Sequence, residues 1–159
     1  MNVSVEVEDQ AWLAVPGLEQ LARRAATAAL MAAGSGEDQD QIEMTLLFTD
    51  DTSMAEINAQ WRGQNKPTNV LSFPAPAGMP VPEGEARPLG DIVLAHGVTS
   101  REAAEQGKTL HEHTTHLIVH GVLHLLSYDH ETDAEAHDME RLETAILRKL
   151  GISDPYERH

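Results

Sequence analysis

Val3, Val5 and Val7 alternate with Ser4, Glu6 and Glu8, the two-residue period of a half-buried strand, so the chain opens in β structure. A second alternation, Ile42, Met44, Leu46 and Phe48 against Glu43 and Thr45, predicts another strand, and Val70–Phe73 and Leu89–Leu94 predict two more. Between the first two strands, Pro16 sits in the first turn of a helix. Its apolar positions Leu18, Leu21, Ala22, Ala25 and Ala29 recur at helical spacing, Arg23 and Arg24 form its solvated face, and Gly34 ends it. After a polar linker, Ser35 to Asp40, and the second strand, Asp51-Thr52-Ser53 offers an N-cap to a short helix that turns Met54, Ile57 and Trp61 inward. Arg62 and Lys66 then stand in a loop. The stretch Pro74 to Pro88 holds five prolines and two glycines, and so reads as an extended surface loop. Capping boxes mark three helix starts: Thr99 with Glu102, Thr109 with Glu112, and Thr132 with Glu135. The first of these helices ends near Gly107; the last carries Met139, Leu142, Ile146 and Leu150 inward and stops at Gly151. Strands in the first 95 residues, with helices between and after them, predict an α+β fold, a small mixed sheet with helices packed on it.

The central helix carries the chemistry. His116, His120 and His124 lie four apart, on one stripe, each about 6 Å along the axis from the last. His120 and His124 can reach one ion, and a turn beginning near Ser127 would bring back His130 as a third ligand, giving H-x3-H-x5-H. Three imidazoles suit one Zn2+ ion per chain and leave a fourth position open, which marks a catalytic rather than a structural site. The competing reading is a set of core histidines, because Leu117, Ile118, Val119, Val122, Leu123, Leu125 and Leu126 surround them. A buried file of imidazoles needs a partner for every ring nitrogen, however, and a metal satisfies several at once. His116 is either a further ligand or a support for one. His111, His113 and His137 read as ordinary exposed histidines.

Composition narrows the setting. A chain of 159 residues is the size of one domain, 1–159, and can bury a core without staples. The absence of cysteine excludes disulfides, thiolate zinc sites and thiol catalysis. No leader or membrane-crossing stretch is apparent, so a cytoplasmic protein is expected. A formal charge of −15 argues against a generic polyanion binder, including one for DNA, although a metal and a few arginines can still make a cleft locally positive.

H-x3-H-x5-H is also the spacing of zinc proteases with the motif HExxHxxGxxH. There the Glu after the first His is the general base; here that position is Gly121. A phosphodiester fits better, since a metal and an arginine can neutralise its transition state electrostatically.

His-Gly-x-Leu-His-Leu-Leu-x-Tyr-Asp-His at 120 to 130, Arg62 ahead of Pro-Thr-x-Val-Leu-Ser-Phe-Pro at 67 to 74, and Leu-Gly-Asp-Ile at 89 to 92 together resemble the bacterial YbeY family. The resemblance spans most of the chain. It implies a zinc-dependent, single-strand-specific endoribonuclease that matures the 3′ end of small-subunit ribosomal RNA, acts in ribosome quality control and associates with ribosomes or the pre-ribosomal small subunit in the cytoplasm. By position it makes His120, His124 and His130 the zinc ligands, His120 and Arg62 the catalytic pair with Arg62 on the scissile phosphate, and Asp129 a support that orients a ligand. The chain departs from the family pattern at Asn69, where Asp is usual, and at Ser127, where Gly is usual. Two rival readings stay open: an assembly factor whose zinc serves folding alone, and a zinc peptidase.

Overall fold

The computed structural model describes residues 2–33, 42–76, 82, 84–126 and 132–152. The expected stop at Gly34, the linker from Ser35 to Asp40 and part of the proline-rich loop lie outside them.

Four strands form the sheet: β1 (Asn2–Val7), β2 (Ile42–Thr49), β3 (Val70–Pro74) and β4 (Arg87–Ala95). Their spatial order is β1-β2-β4-β3; β1, β2 and β4 run parallel and β3 lies antiparallel on the β4 edge, which makes the sheet mixed as expected. The alternation of β2 places Ile42, Met44, Leu46 and Phe48 in the main core, where they meet Ile92 and Leu94 of β4. Leu47, Val93 and Leu71 point to the opposite face and join a smaller cluster around Met54.

Among the described residues, five α-helices cover this sheet. On the main-core face lie α1 (Leu18–Ala33), α4 (Leu110–Leu125) and α5 (Asp133–Lys149). Met54 of α2 (Asp51–Arg62) packs on the other face, and α3 (His96–Glu105) follows β4 directly. The α4 helix packs against β3 and β4 on one side and against α1 and α5 on the other, which is why its apolar residues run almost all the way round. Gly90 permits the closest approach. It sits at φ 143°, beside a register shift between β2 and β4, and a Cβ there would lie 2.3 Å from the Phe73 carbonyl oxygen and 2.8 Å from Leu125.

Several local expectations change in the folded chain. Pro16 and Gly17 form a turn before α1, which starts at Leu18. Arg23 is more than a solvated residue, since its guanidinium donates to the Val3 carbonyl and to Glu19, tying α1 to β1. The N-cap of α2 is Asp50, which accepts from Ser53 N at 2.7 Å. Asp51 instead joins α2 to α3, accepting from Val98 N at 3.0 Å and Arg101 at 3.1 Å. Thr99 caps nothing: α3 begins three residues earlier, and the Thr99 hydroxyl donates to the Ala95 carbonyl within the helix. Its expected partner Glu102 is thereby released for the site. Arg62 is the last residue of α2 rather than a loop residue. Trp61, expected inward, is 67% exposed; at the edge of the sheet its indole meets the ring of Phe73 of β3.

Candidate metal centre

The histidine helix starts where its capping box predicts. Thr109 accepts from Glu112 N at 3.0 Å, and the Glu112 carboxylate returns to Thr109 N at 3.1 Å, so two of the orphan amides are satisfied. From that start the three expected histidines rise along one side of the helix, facing a cleft of about 1010 Å³ between α4 and the edge strand β3.

His120 and His124 bring their Nε2 atoms to within 2.9 Å of each other. One helical turn separates the residues, and the rings approach nearly edge to face, with centroids 4.5 Å apart. Glu143 of α5 sets the proton on His120: its Oε1 accepts from His120 Nδ1, leaving the Nε2 lone pair directed toward His124. The other oxygen of Glu143 accepts from His116 Nε2 at 3.0 Å. His116 Nε2 is thereby engaged with the same carboxylate that holds His120. Glu143 is fully buried, and a carboxylate is tolerated there because both of its oxygens are hydrogen-bonded.

This donor set fits a cation. Two nitrogens bound to one tetrahedral zinc at about 2.0–2.1 Å stand roughly 3.3 Å apart, close to the separation seen, and a carboxylate behind a ligating imidazole is the usual outer partner. Among the described residues no group of three His, Asp or Glu side chains converges on one point. His130, Ser127 and Asp129 lie outside those residues.

Arg62 lines the same cleft and makes no hydrogen bond or ion pair with the described residues, which leaves its guanidinium available to an anion. Among the described residues that line the cleft, Arg62 and Lys108 are basic and Glu102 is acidic, although the whole chain carries −15.

At the opposite end of the cleft, Glu102 Oε1 accepts from Asn69 Nδ2 at 3.0 Å and pairs with His113 Nε2 at 2.9 Å. His113 is thus buried, contrary to the expectation of an exposed histidine, because α3 packs over the first turn of α4. Burial pushes its pKa below the ordinary 6.5, and the Glu102 bond only partly offsets that. His111 and His137 are exposed as expected.

Gly121 explains its own lack of a side chain. A Cβ there would lie 3.1 Å from Ile92 and 3.2 Å from Ser72 Oγ, and Ser72 Oγ donates to the Gly121 carbonyl at 3.0 Å. A glutamate at this point of the helix would have to push the Ile92 and Ser72 side chains aside.

Two residues escaped the sequence reading, Glu143 and Glu102. Glu143 had a signal: it falls four residues after Met139 and three before Ile146, on the buried stripe of α5, where an acidic residue demands a partner. Glu102 was assigned to a cap.

The family model described as Endoribonuclease YbeY matches residues 5–151. A Chelativorans protein named Endoribonuclease YbeY is 52% identical over 145 residues, covering 91% of this chain and 86% of its own. One of the same name from Sinorhizobium fredii is 48% identical over 164 residues, covering 98% and 92%. In fold, the chain resembles a Thermotoga maritima protein solved in solution, with a TM-score of 0.57, 21% identity and coverage of 98% of this chain and 99% of that one. The mixed sheet with an imidazole-bearing helix packed beneath its edge strand is thus the scaffold of an enzyme family. The chain belongs to the Endoribonuclease YbeY family.

Proposed function

We propose that the protein is a zinc-dependent endoribonuclease that cuts single-stranded ribosomal RNA, maturing the 3′ end of the small-subunit RNA. We place it in the cytoplasm with the ribosome or pre-ribosomal small subunit as partner, and in ribosome quality control. Membership of the family supports RNA cleavage. The observation that carries the metal is the convergence of His120 and His124 Nε2 on the wall of a cleft that also presents Arg62. Among the described residues no helix is long and apolar enough to cross a membrane.

His120, His124 and His130 would hold one ion. Bound there, zinc supplies a Lewis acid able to make water or a ribose hydroxyl a nucleophile near neutral pH. Glu143 keeps the His120 proton on Nδ1, so that Nε2 is always the donor presented to the cleft. Arg62 pairs with the non-bridging oxygens of the scissile phosphate and neutralises charge as it builds. Arg62 and Lys108 on the cleft wall would help an acidic protein accept a polyanion there.

The test joins elemental analysis of purified protein with RNA cleavage before and after chelation, using Arg62→Ala as the control for contaminating nuclease. Zinc near one equivalent, loss of cleavage on chelation, and loss by at least about a hundredfold in Arg62→Ala at unchanged zinc content are expected. Cleavage that survives both treatments sinks the proposal. A net charge of −15 favours a second reading, a non-catalytic assembly factor with a structural zinc; it predicts metal binding without cleavage. The peptidase reading needs a base at position 121, where this chain has Gly.

A further inference from the structure

We propose that the Trp61 indole is the stacking platform for an unpaired base next to the scissile phosphate, and so a positioning residue for single-stranded substrate. The proposal rests on the ribonuclease reading above. Trp61 is the exposed large aromatic among the described residues; Trp12 and Phe48 are fully buried and Phe73 is partly covered. One exposed apolar side chain is ordinary on a protein surface. Three placements set this one apart.

First, Trp61 lies on the apolar stripe of α2 that begins with Met54, but the sheet ends at β3 and the ring emerges over the cleft instead of into the core. Second, it is backed by Phe73 in an edge-to-face contact with centroids 6.0 Å apart, which steadies one edge of the indole and leaves its surface to solvent. Third, it stands at the metal end of the cleft. Ser72 bonds Gly121, and a Cβ on Gly90 would touch both Pro74 and Leu125, so β3 and α4 run side by side in the same direction. Along the strand Phe73 is therefore level with the turn from His120 to His124; its ring lies on the Met54 side of the sheet, and Trp61 rests on it at the sheet edge, where both line the same cleft as the histidines. The next residue is Arg62, on the same wall.

An arginine that takes a phosphate and an adjoining aromatic face that takes its base are the two elements of single-strand recognition. A base inside a duplex is already stacked on both faces and must be extruded before it can lie on an indole, whereas an unpaired base needs no such step. Trp61 thereby gives selectivity for single strands without reading sequence.

The two tryptophans make the test direct, since Trp12 is fully buried and Trp61 reports for the surface. A short single-stranded 2′-O-methyl RNA should quench the fluorescence of the zinc-loaded full chain, and the same strand in a duplex should not. In cleavage of single-stranded RNA, Trp61→Ala should raise KM by about tenfold or more with kcat within about twofold, and Trp61→Phe should restore most of the loss. Wild-type cleavage without quenching, together with an unchanged KM in Trp61→Ala, removes the platform and leaves the nuclease standing. Absence of cleavage by the wild type removes both.

Discussion

Glu143 on α5 accepts from His120 Nδ1 on α4, a bond between residues 23 apart in sequence that decides which nitrogen of His120 faces the cleft. The same carboxylate holds His116, so one buried acid orders two imidazoles. Replacing Glu143 by Ala removes the shared acceptor of both rings and leaves buried polar atoms without this partner. Zinc affinity measured against a competing chelator should fall by about ten- to hundredfold, and stability by about 1–3 kcal/mol in urea unfolding. Glu143→Gln keeps one acceptor for His120 and should lose less of each. Equal affinity in all three proteins would detach Glu143 from the metal.

Gly121→Ala sets two magnitudes against each other. Alanine raises helix propensity by about 1 kcal/mol. Its Cβ, however, must displace Ile92 and Ser72 by a few tenths of an ångström, and overpacking of that kind costs about 1–3 kcal/mol. Packing should win, with a net loss of roughly 1 kcal/mol in urea unfolding. Gly121→Glu should not yield folded protein.

His113 makes stability depend on pH. Its folded pKa lies below the ordinary value, so between the two the unfolded chain binds more protons than the folded one. The neutral ring contributes fully above about pH 6.5, and its contribution is lost as pH falls from there through the lowered folded value. Urea unfolding at a series of pH values should show stability declining below about 6.5. The slope should be smaller in His113→Gln, which can still donate to Glu102. An identical slope would place the pH sensitivity elsewhere.

Asn69→Asp puts a carboxylate where the amide now donates to Glu102 at 3.0 Å. Two acids at that distance resist joint ionisation. The variant should lose about 1–2 kcal/mol at neutral pH and regain it in acid, where one of the pair is protonated. Thermal melts at the two pH values test this. A variant as stable as wild type at neutral pH would mean that Glu102 moves away.

The features legible in the chain are those set by neighbours in sequence. The alternation of β2, the Thr109–Glu112 capping box, the Gly151 stop and the four-residue spacing of His116, His120 and His124 all follow from backbone periodicity, and each appears in the fold. The histidine stripe is legible because a helix aligns residues four apart whatever packs around it. Burial and partnership were decided elsewhere. Trp61 is exposed because the sheet stops at β3, and His113 is buried because α3 covers it. Thr99 failed as a cap because its helix starts earlier, and Glu143 reaches His120 only once α5 lies against α4. Local periodicity determines which way a side chain leaves its own element. What it meets there is settled by the packing of elements distant in sequence, and the tautomer of a histidine depends on that meeting.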